Sequence, residues 1–119
     1  MRSGERIPKV ASGATLREAV AEMSRGGIGM TAVVDANGKV IGVFTDGDLR
    51  RTVEKGRMEA SAVDDVMTAR PKHVRPDMLA AEAVHVMEAH KITQLPVVDA
   101  AGALVGALNL HDLFRAKVL

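Results

Sequence analysis

Between Thr15 and Gly27 the apolar residues Leu16, Ala19, Val20 and Met23 recur at helical spacing among polar ones. That pattern predicts an amphipathic helix with one face on a core. Thr15 and Glu18 form a T-x-x-E capping box at its start, and Gly26 and Gly27 can end it. The period then changes. "TAVVD" and "VIGVFT" are nearly continuous apolar runs rich in β-branched residues, with "ANG" between them. They predict a hairpin covered on both faces, with Asn37 and Gly38 at positive φ in the turn. "DGDLRRTVEKG" then predicts a second helix, closing at Gly56.

The same succession returns. "MLAAEAVHVMEAHK" predicts a helix with Leu79, Ala83, Val86 and Met87 on one side. "LPVVD", "AAG" and "ALVGALN" predict a second hairpin, and "LHDLFRAKVL" a closing helix. At a shift of 64 residues, with no gap, positions 10–51 match 74–115 at fifteen of 42 places, among them Glu18/Glu82, Met23/Met87, Asp35/Asp99, Gly42/Gly106 and Asp48/Asp112. A short strand is expected at the start of each unit, near Val10 and Val74. The folding unit is therefore β-α-β-β-α, present twice, at 1–60 and 61–119. A unit of about 55–60 residues buries too little surface to stand comfortably alone. The two are expected to share a core as one α/β (α+β) module of pseudo-symmetric halves, held close by the short link Val63–Pro71.

Composition narrows the function. The chain has 119 residues, 47% of them hydrophobic and 26% charged, which is ordinary for a globular domain. A formal net charge of +1 gives no strong field toward nucleic acid or a membrane surface. Two Phe, with no Trp or Tyr, leave almost no platform for stacking bases along a strand. Absence of Cys removes disulfides and thiolate metal sites and fits a cytoplasmic setting. No apolar run reaches the roughly 18 residues that cross a bilayer, and "MRSGERIPKV" has no signal-peptide core.

The chemistry gathers where the first hairpin meets its closing helix, in "GVFTDGDLRR" (42–51). Thr45 or Asp46 can cap that helix, and acids in a first turn favour its dipole. Capping alone accounts less well for Asp48, which recurs as Asp112 at the same offset from Gly42 and Gly106. A carboxylate at a strand-to-helix junction can accept hydrogen bonds from a ribose diol. The Thr45 hydroxyl and the helix's first N–H groups can meet a phosphate. Because Asp46 and Asp48 would oppose a bare phosphate, the sugar is expected at Asp48. Gly42 is expected to let a backbone approach closely.

Other readings fall away. Asp46 and Asp48 lack the rest of a calcium loop. His73, His85, His90 and His111 show no H-x-x-x-H pair, and His85 and His90, five apart, face different ways on a helix. His111 alone lies inside a motif and is a candidate ligand contact. Arg50, Arg51 and Arg115 read as helix-surface charges within reach of a phosphate. The methionines read as core fillers, Met30 excepted, because it precedes the strand expected to wall the pocket. No nucleophile–base pair or paired-carboxylate arrangement is visible, so no catalytic site is expected.

With these residues in place, the chain resembles a tandem pair of cystathionine-β-synthase (CBS) domains, a Bateman module. Gly42, Thr45 and Asp48 match that family's nucleotide motif, Gly-apolar-x-Thr/Ser-x-x-Asp/Asn. The second copy reads Gly106, Asn109 and Asp112, with Asn where a hydroxyl is usual. More narrowly, "EMSRGGIGMTAVVDANGKVIGVFTDGDLRRTVEKG" and the segment from "VMTARPKHV" to the C-terminus are similar to the C-terminal CBS pair of D-arabinose 5-phosphate isomerases. That resemblance implies a regulatory pair in a longer enzyme whose sugar isomerase domain performs the chemistry. It places Met1 inside that longer chain. It also implies a nucleotide ligand. The first step of 3-deoxy-D-manno-octulosonate (Kdo) synthesis is a sensible target for feedback by CMP-Kdo. CMP or CMP-Kdo is accordingly favoured over AMP or ATP, with the ribose on Asp48, the phosphate on Thr45, and Lys9, Lys72 or Arg51 for a carboxylate. Gly29, Met30 and Thr31 are expected to form the apolar wall. The rival reading is an oligomerisation scaffold without ligand. In either reading Leu49, Val53, Leu110, Leu113 and Phe114 exceed what one small core needs and predict a homodimer of pairs.

Overall fold

The computed structural model describes residues 4–59, 62–78 and 80–111. Strand β1 (Lys9–Ala11) leads into helix α1 (Leu16–Gly26), then strands β2 (Met30–Val34) and β3 (Val40–Thr45), then helix α2 (Asp46–Glu54). After the link come β4 (Thr68–Ala69), α3 (Ala80–His90), β5 (Gln94–Val98) and β6 (Leu104–Asn109). A mixed sheet runs in the order β1-β2-β3-β4, and β5 and β6 form a second sheet. The expected closing helix of the second half, including Asp112, Leu113, Phe114 and Arg115, lies beyond the described residues, as does Leu79.

Of the capping expected at α1, one arm of the box and the glycine stop form, without a return bond from the Glu18 side chain to the Thr15 N–H. Thr15 Oγ1 accepts from the Glu18 N–H, and Gly27 ends α1 in the left-handed region at φ 69°. Leu16, Ala19 and Met23 are buried, and they pack with Val33, Phe44 and Val63. In the second half Ala83 and Met87 of α3 pack with Val74, Leu95 and Val97. Covered on both faces, β2 is buried from Met30 to Val33.

The repeat persists in the hydrogen bonds. Val10 pairs with Val33 in parallel, and 64 residues later Val74 pairs with Val97, there as a single bridge rather than a strand. Both hairpins shift register at the equivalent place, Val33/Val34 and Val97/Val98. The Asp46 N–H donates to the Gly29 carbonyl at 3.0 Å, and the Leu110 N–H to the Thr93 carbonyl at 2.9 Å. One turn expectation is corrected: only Gly38 takes positive φ, at 79°, and Asn37 does not. Asp35 removes the need. Its Oδ1 accepts from the N–H groups of Asn37 and Lys39, so the side chain closes the turn instead.

The two halves meet along a shared core of Ile7, Ile28, Met30 and Val43 with Ala107 and Leu104. Their hairpin turns also bond each other, Val40 N–H to the Gly102 carbonyl and Leu104 N–H to that of Gly38. The link is more than a tether. Val63 is fully buried in the first half's core, and β4 pairs with β3 at Gly42 and Val43. Residues 62–69 thus pack on the first half, although they follow residue 60.

Candidate functional site

Thr45 stands at the end of β3 in extended conformation, and α2 starts at the next residue. A cleft of about 510 Å³ opens beside this junction. Its first wall comes from Thr45, Asp46, Gly47, Arg50 and Arg51; the facing wall is Lys91, Ile92, Thr93, Gln94 and Pro96 from the second half. Thr68, Pro71 and Lys72 of the link run along it. Four cations, Arg50, Arg51, Lys72 and Lys91, therefore line the cleft against one carboxylate, Asp46. With the N-terminus of α2 and the Thr93 hydroxyl beside them, these cations suit the cleft to an anion, while the hydroxyls of Thr45 and Thr68 are turned to Asp48.

Asp48 is held differently from the sequence expectation. Only 5% exposed, it forms a reciprocal capping box with Thr45. Oδ2 accepts from the Thr45 N–H at 3.0 Å and from Thr45 Oγ1 at 3.1 Å. Oδ1 accepts from Arg51 Nη2 at 2.6 Å and from Thr68 Oγ1 at 3.0 Å. Thr68 also reaches Oδ2 at 3.2 Å. Asp48 lies in a smaller hollow of about 150 Å³ behind Arg51, which lines both spaces. The cap that sequence reasoning ranked second for Asp48 is thus fully formed.

Several expected wall residues sit elsewhere. Met30 and Thr31 are fully buried in the sheet and do not line the cleft. Gly29 lies one layer beneath it at φ 73°; a methyl there would meet Asp46 Oδ2 at 2.7 Å and Gln94 Nε2 at 2.9 Å. Gly42 is buried under the link, where a methyl would run into Met67 Sδ. The close approach it permits is by a thioether, not by a backbone. Exposed Lys9 lies on β1, its N–H bonded to Glu22 Oε2, away from the cleft. Lys72 does line it. In the second motif, Asn109 Nδ2 donates to the Ile28 carbonyl at 3.2 Å and Oδ1 accepts from the His111 N–H at 2.8 Å. Asp112 is outside the described residues.

Sequence reasoning missed Lys91, Thr93, Gln94 and Pro96, and the signal for them was available. Gly29 and Met30 shifted by 64 are Thr93 and Gln94. The wall had been sought in the strand that pairs with β3, whereas the opposite half supplies it. Among the described residues no cluster of three or more His, Asp or Glu side chains is placed to hold a metal ion. No helix among them is long and apolar enough to cross a membrane.

Comparison with known proteins identifies the family and agrees with the fold. The CBS domain family model matches residues 1–55 and again 63–119. The arabinose 5-phosphate isomerase KdsD of Pseudomonas aeruginosa is 51% identical over 120 aligned positions, covering all of this chain but 37% of that enzyme. The chain thus spans little more than a third of that relative. CBSX2, a CBS-pair protein of Arabidopsis thaliana solved in complex with AMP, superposes with a TM-score of 0.83 at 27% identity, over 99% of this chain and 92% of that one. The CBS pair of protein MJ0100, solved with 5'-methylthioadenosine and S-adenosyl-L-methionine, has a TM-score of 0.86 over 98% and 91% of the two chains. At 21% identity it speaks to the fold alone.

Proposed function

The chain belongs to the CBS-domain family and carries the domain twice, and from that premise we propose that it is the regulatory pair of an arabinose 5-phosphate isomerase, binding a nucleotide in the cleft between Thr45 and Gln94. The observation that carries this reading is the convergence of Arg50, Arg51, Lys72 and Lys91 on one helix start, across the junction of the halves. A ligand held there touches both halves and the link, so its binding energy bears on their relative placement. The isomerisation itself belongs to a sugar isomerase domain of the longer enzyme, in the cytoplasm. The 51% identity to KdsD supports that assignment.

The ligand we favour is a cytidine nucleotide, CMP or CMP-Kdo. An activated end product suits feedback on an early step, and CMP-Kdo carries a ribose, a phosphate and a carboxylate for a cleft with four cations. A second reading, an adenine nucleotide, is favoured by the AMP complex of CBSX2. A thermal-shift and calorimetry series with CMP, CMP-Kdo, AMP and ATP tests both. A ligand at 100 times its Kd raises stability by about 2.7 kcal/mol. AMP or ATP binding at least tenfold tighter than CMP-Kdo, about 1.4 kcal/mol, would select the adenine reading. No shift with any of the four would leave the pair as a scaffold. In that case the apolar residues of α2 and the turn after it, Val53 at 57% and Met58 at 43% exposure, are the surface for the homodimer we propose in either reading.

A further inference from the structure

Asp48 has no free acceptor position facing the cleft. Its two oxygens already take hydrogen bonds from Thr45 N–H, Thr45 Oγ1, Thr68 Oγ1 and Arg51 Nη2. Three of these donors belong to the capping box or to β4, which pairs with β3. Arg51 is different. Its side chain is 54% exposed while that of Asp48 is 5% exposed, and the ion pair between them spans 2.6 Å. Arg51 lines the main cleft on one side and the hollow of Asp48 on the other, so its guanidinium stands between them. Gly47 gives it room: a methyl there would stand 3.3 Å from Arg51 Nη1. Among the described residues, Arg50, Lys72 and Lys91 form no ion pair, so Arg51 is the cleft cation already committed to a carboxylate.

We propose that Arg51 is an exchangeable latch: it covers Asp48 in the empty cleft and changes partner when a nucleotide arrives, giving the carboxylate to the ligand's ribose diol and taking the ligand's phosphate. This rests on the nucleotide reading above and adds a selection rule to it. A diol alone has to displace Arg51 from Asp48 and returns nothing to the freed guanidinium. A diol joined to a phosphate supplies a replacement anion in the same event. The latch therefore discriminates against unphosphorylated nucleosides by competition at Asp48, where a lone diol must displace Arg51 without offering it a new anion. Thr68 and the capping box hold Asp48 in place throughout, so the exchange needs only side-chain rotation of Arg51.

Calorimetry on Arg51→Gln and Arg50→Gln, each with the pairs CMP and cytidine and AMP and adenosine, tests the exchange. Arg50 lines the same cleft without touching Asp48 and serves as the comparison. For Arg51→Gln the nucleoside is expected to bind severalfold tighter than in the unaltered protein and the nucleotide weaker. The nucleoside-to-nucleotide ratio of Kd should fall by about tenfold or more, the ordinary worth of one charge-assisted bond. For Arg50→Gln the nucleotide weakens and the nucleoside affinity stays put. A nucleoside affinity that stays flat or drops in Arg51→Gln, while the unaltered protein still binds nucleotide, overturns the latch and leaves the nucleotide reading standing. Failure of the unaltered protein to bind any of the four removes both.

Discussion

Thr45 and Asp48 cap each other across the first turn of α2: the Asp48 N–H donates to Thr45 Oγ1 at 3.2 Å, and the Thr45 N–H donates to Asp48 Oδ2 at 3.0 Å. The pair that carries the nucleotide motif is thus also the pair that starts the helix. An exposed cap is worth about 0.5–2 kcal/mol. Asp48 is buried and also accepts from Thr68 and Arg51, but those two are exposed and can turn to water, so the cap is the main contact its removal costs.

Asp48→Ala is therefore expected to lower stability by about 1–2 kcal/mol, read as a shift of the urea midpoint. Asp48→Asn, which keeps the shape and one carbonyl oxygen, should lose less. A loss below 0.5 kcal/mol for the alanine variant, the lower bound for an exposed cap, would mean that the cap contributes little. Binding measurements on Asp48→Ala need the folded fraction measured beside them.

Lys91 ends α3 at φ 55°, the place where α1 uses Gly27 at φ 69°. A side chain in the left-handed region costs about 1–2 kcal/mol relative to glycine. Lys91 lines the cleft, and under the proposed function a ligand contact there gives a reason to carry that strain. Lys91→Gly should raise stability by about 1 kcal/mol while weakening CMP and AMP binding by about tenfold, the value of one charge contact. Denaturation and calorimetry on one preparation read both. Weaker binding without added stability would remove the strain argument, and unchanged binding would remove Lys91 from the site.

These two residues also show what the sequence carried and what it hid. The elements, both hairpins and the pseudo-symmetry were readable because the 3.6 and 2.0 periods repeat at a fixed shift. Thr45 and Asp46 were readable as a helix start because capping is local. Lys91 and Gln94 were not, since only the packing of one half on the other brings them to Thr45. Gly42 was read as room for a closely approaching backbone and proves to be room for the Met67 side chain. Sequence marks a glycine as necessary without saying what approaches it.

The link carries its own anchor. Asp64 accepts from Ser12 Oγ at 2.5 Å and from the Gly13 N–H at 2.7 Å. These bonds, Ser12's foremost, hold its carboxyl below the usual aspartate range. A folded-state pKa below the unfolded one adds stability above the unfolded value and loses it as pH falls through the folded value. Between about pH 5 and pH 2, the urea midpoint should therefore fall more steeply in the unaltered protein than in Asp64→Asn. Parallel curves would show that the anchor contributes nothing that titrates.

The repeat allows a prediction of stoichiometry. Each cleft residue has a counterpart 64 positions away, and most of the substitutions run against an anion, although Arg51 is matched by Arg115 and Asp46 gives way to Leu110. Lys72 corresponds to Pro8, Lys91 to Gly27, Thr93 to Gly29, Gln94 to Met30 and Thr45 to Asn109. With Arg50 answered by Phe114 and Thr68 by Gly4, three cations and three hydroxyls are lost. Asn109 is also occupied, its amide donating across the halves to the Ile28 carbonyl. The fold is therefore doubled, whereas most of the cleft's cations and hydroxyls are not repeated. Calorimetry should give one nucleotide per chain, and Lys72→Ala with Lys91→Ala should abolish that single binding event, whereas Asn109→Ala should leave the count at one. Two equivalent sites per chain, or a residual nucleotide site in the double variant, would show that the half without these cations binds nucleotide as well.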